Sequence, residues 1–137
     1  MADDGSRTWA VPLVSPQDVA RARRAANEAM SANGASVIKR TRFVTAVSEI
    51  ARNAVVHGGG GNIRFTLGRA SGEPVLIAEC TDRGPGIDDL EQALRDGYTS
   101  GGGLGHGLGG ARRLVDRFDI RSSVRLGTTV RLETRLR

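Results

Sequence analysis

The sequence is poor in cysteine, aromatic residues and lysine, and these scarcities exclude several classes of protein. Cys80 is the only cysteine among 137 residues, which excludes an internal disulfide and a multi-cysteine metal site. Aromatic side chains make up only 4% of the chain, so a core must rest mainly on Val, Ile, Leu and Ala. No stretch approaches the ~18 consecutive apolar residues of a membrane-spanning helix. We therefore expect no membrane partner and, because the first residues are polar and unlike a signal peptide, a cytoplasmic protein.

The positive charge of the chain does not by itself indicate nucleic-acid binding. The net charge is +5, and Lys39 is the only lysine, so arginine supplies nearly all of the basic residues. These arginines are scattered along the chain and do not alternate with aromatic residues as they do in single-strand binders. We expect no nucleic-acid partner, because an acidic protein or an anionic small ligand explains the charge equally well.

The balance of 39% hydrophobic and 26% charged residues is typical of a globular protein that can bury a core. We expect a flexible N-terminus over residues 1–8 and a single domain over residues 9–137. The patterns predict an α+β fold, a two-layer α/β sandwich with a mixed, mostly antiparallel sheet covered on one face by helices. The predicted strands are Trp9–Val14 (at an edge, because of Pro12), Asn62–Leu67, Pro74–Thr81, Asp119–Ser123 and Thr128–Arg135, and the predicted helices are residues 16 to about 34, Val37–His57, Asp88–Arg95 and Leu108–Phe118.

Two polar clusters stand on or next to predicted buried elements. Glu49 and Asn53 lie four residues apart on the second helix, so both side chains project from one face. A solvated, hydrogen-bonded pair also accounts for these two residues. The second cluster, Asp82-Arg-Gly84-Pro-Gly86, follows a predicted strand and places a carboxylate where it can accept from the amino group of a base. An ordinary turn also explains this segment, since Asp, Gly and Pro are common in turns.

Residues 101–110 hold seven of the chain's 19 glycines and run into a helical pattern. Glycine reaches positive φ without steric cost, and a helix N-terminus adds unpaired N–H donors, so this run predicts a phosphate-binding loop. A Walker A loop requires Lys after its last glycine, whereas Ala111 and Arg112 follow here. A dinucleotide-binding loop requires a strand directly before it, and residues 96–100 do not have the pattern of a strand. The His-Arg-Asp and Asp-Phe-Gly motifs of the familiar protein kinases are missing from the sequence.

The motifs, taken in their order along the chain, resemble those of the GHKL (Bergerat-fold) ATPases. The series is Glu-x-x-x-Asn, Asp-x-Gly-x-Gly, Gly-Gly-Leu-Gly-x-Gly-Leu and Gly-Thr-Thr, and the resemblance extends over about residues 11–132. The small size indicates the anti-sigma-factor and switch-protein serine kinases within this superfamily. Residues 96–105 and 112–118 look most like the switch kinases of the RsbT type. The resemblance implies a histidine-kinase-like ATPase fold, with ATP and Mg²⁺ as cofactors.

The function implied by the resemblance is that of an ATP-dependent protein serine/threonine kinase in a bacterial partner-switching stress-response module. Its substrate would be a STAS-domain antagonist or scaffold protein, and the released kinase would activate a PP2C-type phosphatase. An anti-sigma-factor kinase that sequesters a sigma factor has the same motifs and stays an alternative. A non-catalytic module that binds nucleotide or a partner is an alternative of another class, and the intact Glu49, Asn53 and Asp82 argue against it.

The resemblance also implies roles for individual residues of the site. Glu49 matches the residue proposed as general base, which takes the proton from the attacking serine hydroxyl. Asn53 matches the Mg²⁺ ligand, and a neutral amide oxygen suits the octahedral shell of that ion. Asp82 matches the carboxylate that accepts from the adenine amino group, and Thr128 matches the threonine that supports this contact.

The phosphates would be held by the glycine run and the segment before it, with an ATP lid at about residues 88–103. Arg52, beside the metal ligand, or Arg95 in the lid is expected to supply positive charge to the transferred group. His106 stands where the family usually carries leucine, as a tolerated substitution or as a pH-sensitive phosphate contact. The further nucleotide-binding residues implied by the resemblance are Gly84, Gly86, Gly103, Leu104, Gly105, His106, Gly107 and Leu108.

Overall fold

The computed structural model describes residues 7–84, 107–123 and 127–137. Within these residues the strands are β1 (Arg7–Leu13), β2 (Gly61–Ala70), β3 (Glu73–Asp82), β4 (Arg117–Ser123) and β5 (Gly127–Arg135), and the helices are α1 (Pro16–Ala32), α2 (Val37–Val56) and α3 (Gly107–Arg113). The strands form an open sheet in the order β1-β2-β3-β5-β4, and each neighbouring pair of these described strands is antiparallel. The predicted α+β fold is confirmed, and β1 lies at an edge as Pro12 indicates.

The core lies between the sheet and the pair of helices α1 and α2. Successive strand residues point to opposite faces, so Ile63 and Phe65 of β2 are fully buried while Arg64 between them is exposed. Aliphatic side chains supply most of this core, as the low aromatic content predicts. The largest fully buried side chains include Leu13, Met30, Phe43, Val47, Ile50, Ile63, Phe65, Leu76, Leu132 and Leu136.

Helix α1 begins at residue 16, as the sequence predicts. Ser15 is the N-cap residue in an extended conformation, and Pro16 is the first helical residue. Oδ2 of Asp18 accepts hydrogen bonds from the backbone N–H groups of Val14, at 2.8 Å, and Ser15, at 3.1 Å. These two bonds favour the ionised carboxylate and lower the pKa of Asp18 from its usual 3.8.

The hairpin between β2 and β3 is longer and tighter than the sequence predicts. Ala70 pairs with Glu73, so only Ser71 and Gly72 form the turn, with φ of 52° and 81°. Positive φ at both central residues is typical of a type I′ turn, whose twist matches that of antiparallel strands. The two strands therefore extend beyond their predicted bounds of Asn62–Leu67 and Pro74–Thr81.

The chain after the glycine run also departs from the prediction. The helix ends at Arg113 and β4 begins at Arg117, so Phe118 lies in a strand and not in the predicted helix. Asp116 explains the early end, because its N–H donates to the Glu133 carbonyl at 3.0 Å and its carboxylate accepts from the Arg135 N–H at 2.7 Å. These bonds to β5 start the strand pairing before another helical turn can form.

Two further predictions concern the segments next to the described residues. β1 begins at Arg7, so Arg7 and Thr8, assigned from the sequence to the N-terminal segment, pair with Leu67 and Thr66. The predicted short helix Asp88–Arg95 lies outside the described residues. Among the helices that the structure describes, none is both long enough and apolar enough to cross a membrane.

Cys80 lies in the core on β3. Its side chain is 3% exposed, and its sulfur lies 3.7 Å from the Ile50 carbonyl oxygen as a donor. Burial and, as the smaller cause, the charge of Asp82 together raise the pKa of the Cys80 thiol to about 12. The thiol is therefore protonated and shielded at neutral pH.

The contacts of Asp18 predict a stability difference that depends on pH. The lowered pKa of the folded carboxyl means that it stabilises the fold above its unfolded-state pKa and loses this effect as pH falls through the folded value. Asp18→Asn should therefore unfold at a lower urea concentration than wild type at pH 7, and the difference should shrink below about pH 4. Urea titrations followed by circular dichroism measure this, with the exposed Glu28→Gln on the same helix as the control. An equal difference at both pH values would contradict the assignment.

Candidate functional site

The described site residues come from the second half of α2, the end of β3, the start of β5 and the start of α3. Hydrogen bonds join them in two groups. One group is centred on Asp82 and contains Gly84 and Thr128. The other joins Glu49 to Gly107.

The Asp82 carboxylate is held by two backbone N–H groups. Oδ1 accepts from the Gly84 N–H at 2.9 Å, which forms a local turn just after β3, and from the Thr128 N–H at 3.3 Å on β5. Both hydrogen bonds that the described residues make to this carboxylate use Oδ1, and Oδ2 is left to accept from another donor. The arrangement fixes the orientation of a hydrogen-bond acceptor at the end of a strand.

Thr128 supports this carboxylate through its backbone and is held in turn by its side chain. It is 7% exposed, and its hydroxyl lies 2.9 Å from the hydroxyl of Ser122 on β4. The two residues are direct partners in the β4–β5 hairpin, which explains the contact. Ser122 was not among the predicted site residues, because the predicted strand Asp119–Ser123 carried no register, and the pairing with Thr128 comes from the structure.

Three glycines pack so closely around Asp82 that a side chain at any of them would collide with Asp82 or with a neighbouring backbone. A Cβ on Gly58 would lie 2.6 Å from Asp82 Cβ and 2.7 Å from Oδ2, and one on Gly84 would lie 2.5 Å from the Gly58 Cα. A Cβ on Gly127 would meet the Asp82 carbonyl oxygen, and its φ of 86° also favours glycine. Neither Gly58 nor Gly127 was among the predicted site residues.

Glu49 is buried and faces the start of α3. Its side chain is 3% exposed, and Oε1 accepts from the Gly107 N–H at 3.2 Å. Gly107 has a φ of 72°, a conformation that other residues rarely adopt. The last part of the glycine run is thus tied to the carboxylate that the resemblance makes the general base.

Asn53 follows Glu49 by one helical turn and is half-buried, as is Arg52. The backbone carbonyl of Asn53 accepts from the N–H groups of His57, at 2.9 Å, and Gly58, at 3.1 Å, at the end of α2. The amide oxygen type fits Mg²⁺, which prefers oxygen ligands. The metal-binding role of Asn53 and the charge-supplying role of Arg52 stay predictions.

Of the remaining predicted site residues, one lies in the hydrophobic core and the others lie outside the described residues. Leu108 on α3 is 5% exposed and belongs to the hydrophobic core, so its side chain packs there, and its role at the phosphates stays a prediction. Gly86, Gly103, Leu104, Gly105, His106 and the lid at residues 88–103 lie outside the described residues.

A depression of about 540 Å³ lies at the same end of the sheet. Its lining includes Val14, Gly60, Asn62, Arg64 and Arg83. Glu79 also lines it and pairs with Arg64 across β2 and β3, so the two charges offset each other. Thr81 and Arg83, the chain neighbours of Asp82, line it, whereas Glu49, Asn53, Asp82 and Thr128 are not among its described lining residues.

The fold and this arrangement agree with the comparison to known proteins. The family model of the histidine kinase-like ATPase domain matches residues 14–134, and the chain belongs to this family. Among curated proteins it is similar to the serine/threonine-protein kinase RsbT of Bacillus subtilis (strain 168), with 33% identity over 120 residues, 88% of this chain and 90% of RsbT. It is also similar to two anti-sigma F factors. The one from Bacillus licheniformis is 32% identical over 103 residues, and the one from Bacillus subtilis (strain 168) is 33% identical over 101 residues. Each match covers 70% of this chain and 69% of the relative. The resemblance inferred from the motifs is confirmed.

The crowding at Gly127 predicts a destabilised Gly127→Ala variant. The new methyl group would collide with the Asp82 carbonyl in a backbone conformation that alanine disfavours. We expect a loss of about 1–3 kcal/mol in the free energy of unfolding, measured by urea titration. Gly68→Ala is the matched control, because nothing lies within 4 Å of its Cβ position. Equal unfolding free energies for the two variants would contradict the crowding.

Proposed function

We propose that this chain is an ATP- and Mg²⁺-dependent protein serine kinase of a bacterial partner-switching module. The observation that carries the proposal is the buried Glu49 carboxylate one helical turn from Asn53, in a chain that aligns with most of the kinase RsbT. The ATPase domain spans residues 9–137, with the lid at about residues 88–103.

Asp82 reads the base of the nucleotide. Oδ1 is occupied by two backbone N–H groups, and Oδ2 accepts a hydrogen bond from the adenine amino group. Guanine carries an oxygen at the equivalent position, and a carboxylate opposite that oxygen repels it. Thr128 stabilises the carboxylate from β5. The site therefore selects adenine by a single acceptor whose orientation the backbone sets.

The phosphates lie toward α2, where Asn53 and Arg52 follow Glu49. Asn53 would supply an amide oxygen to Mg²⁺, an ion that prefers oxygen ligands. When bound, Mg²⁺ neutralises charge that develops on the phosphate oxygens. Arg52, or Arg95 in the lid, adds positive charge at the transferred group. The N–H groups of the glycine run before Gly107 would hold the phosphates, because the Gly107 N–H donates to Glu49.

Glu49 acts as the general base of phosphoryl transfer. Its carboxylate takes the proton of the substrate serine hydroxyl while the serine oxygen bonds to the γ-phosphorus. The bond between that phosphorus and the oxygen bridging to the β-phosphate breaks, and ADP leaves with the bridging electrons. The Gly107 N–H, at 3.2 Å from Oε1, orients the carboxylate.

The substrate we propose is a serine of a STAS-domain antagonist or scaffold protein, and the kinase released from it activates a PP2C-type phosphatase. The match to RsbT covers 88% of this chain, whereas the matches to anti-sigma F factors cover 70%, which favours this assignment. An anti-sigma-factor kinase that sequesters a sigma factor is the second candidate, supported by those matches. The protein is proposed to act in the cytoplasm, without a nucleic-acid or membrane partner.

Phosphotransfer to a STAS-domain protein tests the proposed chemistry. Wild type should transfer label from γ-³²P-ATP to the serine of the partner in the presence of Mg²⁺. Glu49→Gln should lower the rate about a hundredfold or more because the base is lost, and Asn53→Ala should lower it as well. The control is Glu28→Gln, on the exposed face of α1, which should transfer label at the wild-type rate.

Equal transfer by wild type, Glu49→Gln and Asn53→Ala would show that the assigned residues do not perform the reaction. ATP binding by wild type without any transfer would favour the non-catalytic module instead. A pull-down with a PP2C-type phosphatase and with a sigma factor then separates the two partner assignments, since only one should be retained.

A further inference from the structure

Gly58 connects the two parts of the candidate nucleotide site. It follows the last residues of α2, and its N–H donates to the carbonyl oxygen of Asn53 at 3.1 Å. On its other side the Gly58 backbone lies against the Asp82 side chain, where an added Cβ would be 2.7 Å from Oδ2. One buried residue therefore touches both the predicted metal ligand and the predicted reader of the base.

The contact leaves no room for a side chain at Gly58. Its Cβ would overlap the Asp82 carboxyl group and lie 2.6 Å from Asp82 Cβ, well inside any normal contact. Gly84 also packs against Gly58, because a Cβ on Gly84 would lie 2.5 Å from the Gly58 Cα. Gly58 is thus enclosed between the end of β3 and the turn that follows it.

The Asp82 carboxylate cannot move away without losing its own support. A single methylene group joins the carboxyl group to the backbone, and that backbone is paired with Gly61 of β2. Rotation of the carboxyl group breaks the Oδ1 hydrogen bonds from Gly84 and Thr128. A substitution at Gly58 therefore acts on the orientation of the acceptor, which is the property that base recognition requires.

We infer that Gly58 is a positioning residue that sets the place of the Asp82 carboxylate relative to Asn53. The inference rests on the proposed function, because it assigns the base to Asp82 and the metal-bound phosphates to Asn53. A nucleotide bound in one conformation spans a set distance between its base and its phosphates, so the two protein groups must keep a matching separation. Gly58 maintains this separation through direct backbone contact with both.

Nucleotide affinity and nucleotide choice together test this role. Binding of ATP and of GTP, each with Mg²⁺, is measured by calorimetry for wild type, Gly58→Ala and the control Gly68→Ala, which has open space around its Cβ position. Gly58→Ala should bind ATP about tenfold or more weakly, because a hydrogen bond to a charged group is lost. Its affinity for GTP should change much less, so the preference for ATP should fall. Gly68→Ala should retain the wild-type affinity and preference.

The possible outcomes separate this inference from the proposed function. No ATP binding by wild type would contradict the proposed function itself. ATP binding by Gly58→Ala equal to that of Gly68→Ala would overturn only the role of Gly58. A parallel loss for ATP and GTP would also overturn it, because general distortion lowers both. If thermal unfolding shows that Gly58→Ala does not fold, Gly84→Ala, which presses on Gly58, replaces it and should show the same loss of preference.

Discussion

The two backbone hydrogen bonds to Asp82 Oδ1 are the interaction on which the candidate site depends. They connect the turn after β3 with the start of β5, which are distant in sequence, and they fix a carboxylate at the end of a buried strand. The surrounding glycines follow from this constraint. Gly58, Gly84 and Gly127 approach so closely that a methyl group at any of them would strike Asp82 or a neighbour that touches it. The tight corner thus converts a flexible acidic side chain into an acceptor with one orientation.

The helix α2 relates this corner to the proposed chemistry. Its end contacts Asp82 through Gly58, and one and two turns earlier it carries Asn53 and Glu49 on the side that meets α3. A rigid helix therefore sets the distance between the group proposed to read the base and the groups proposed to act on the phosphates. Such fixed spacing suits the proposed reaction, because phosphoryl transfer depends mainly on positioning and charge.

Local signals in the sequence predicted the elements, whereas contacts between distant residues decided what the prediction missed. Ser15, Pro16 and the apolar periodicity sufficed for α1, because capping and periodicity act within a few residues. The early end of the third helix was missed because Asp116 bonds to β5, nearly twenty residues later in the sequence. The motif spacing indicated Glu49 and Asp82, but not the packing of Gly58 on Asp82, since no short-range pattern records a contact across 24 residues.

The central claim is that Asp82 recognises the amino group of adenine, and the most direct test is calorimetric titration with MgATP and MgITP, whose base lacks that group. Wild type should bind ATP about tenfold or more tightly than ITP, and Asp82→Asn should bind both weakly and nearly equally. The Gly68→Ala control should behave as wild type. An Asp82→Asn protein that keeps both the wild-type affinity for ATP and the preference over ITP would contradict the account.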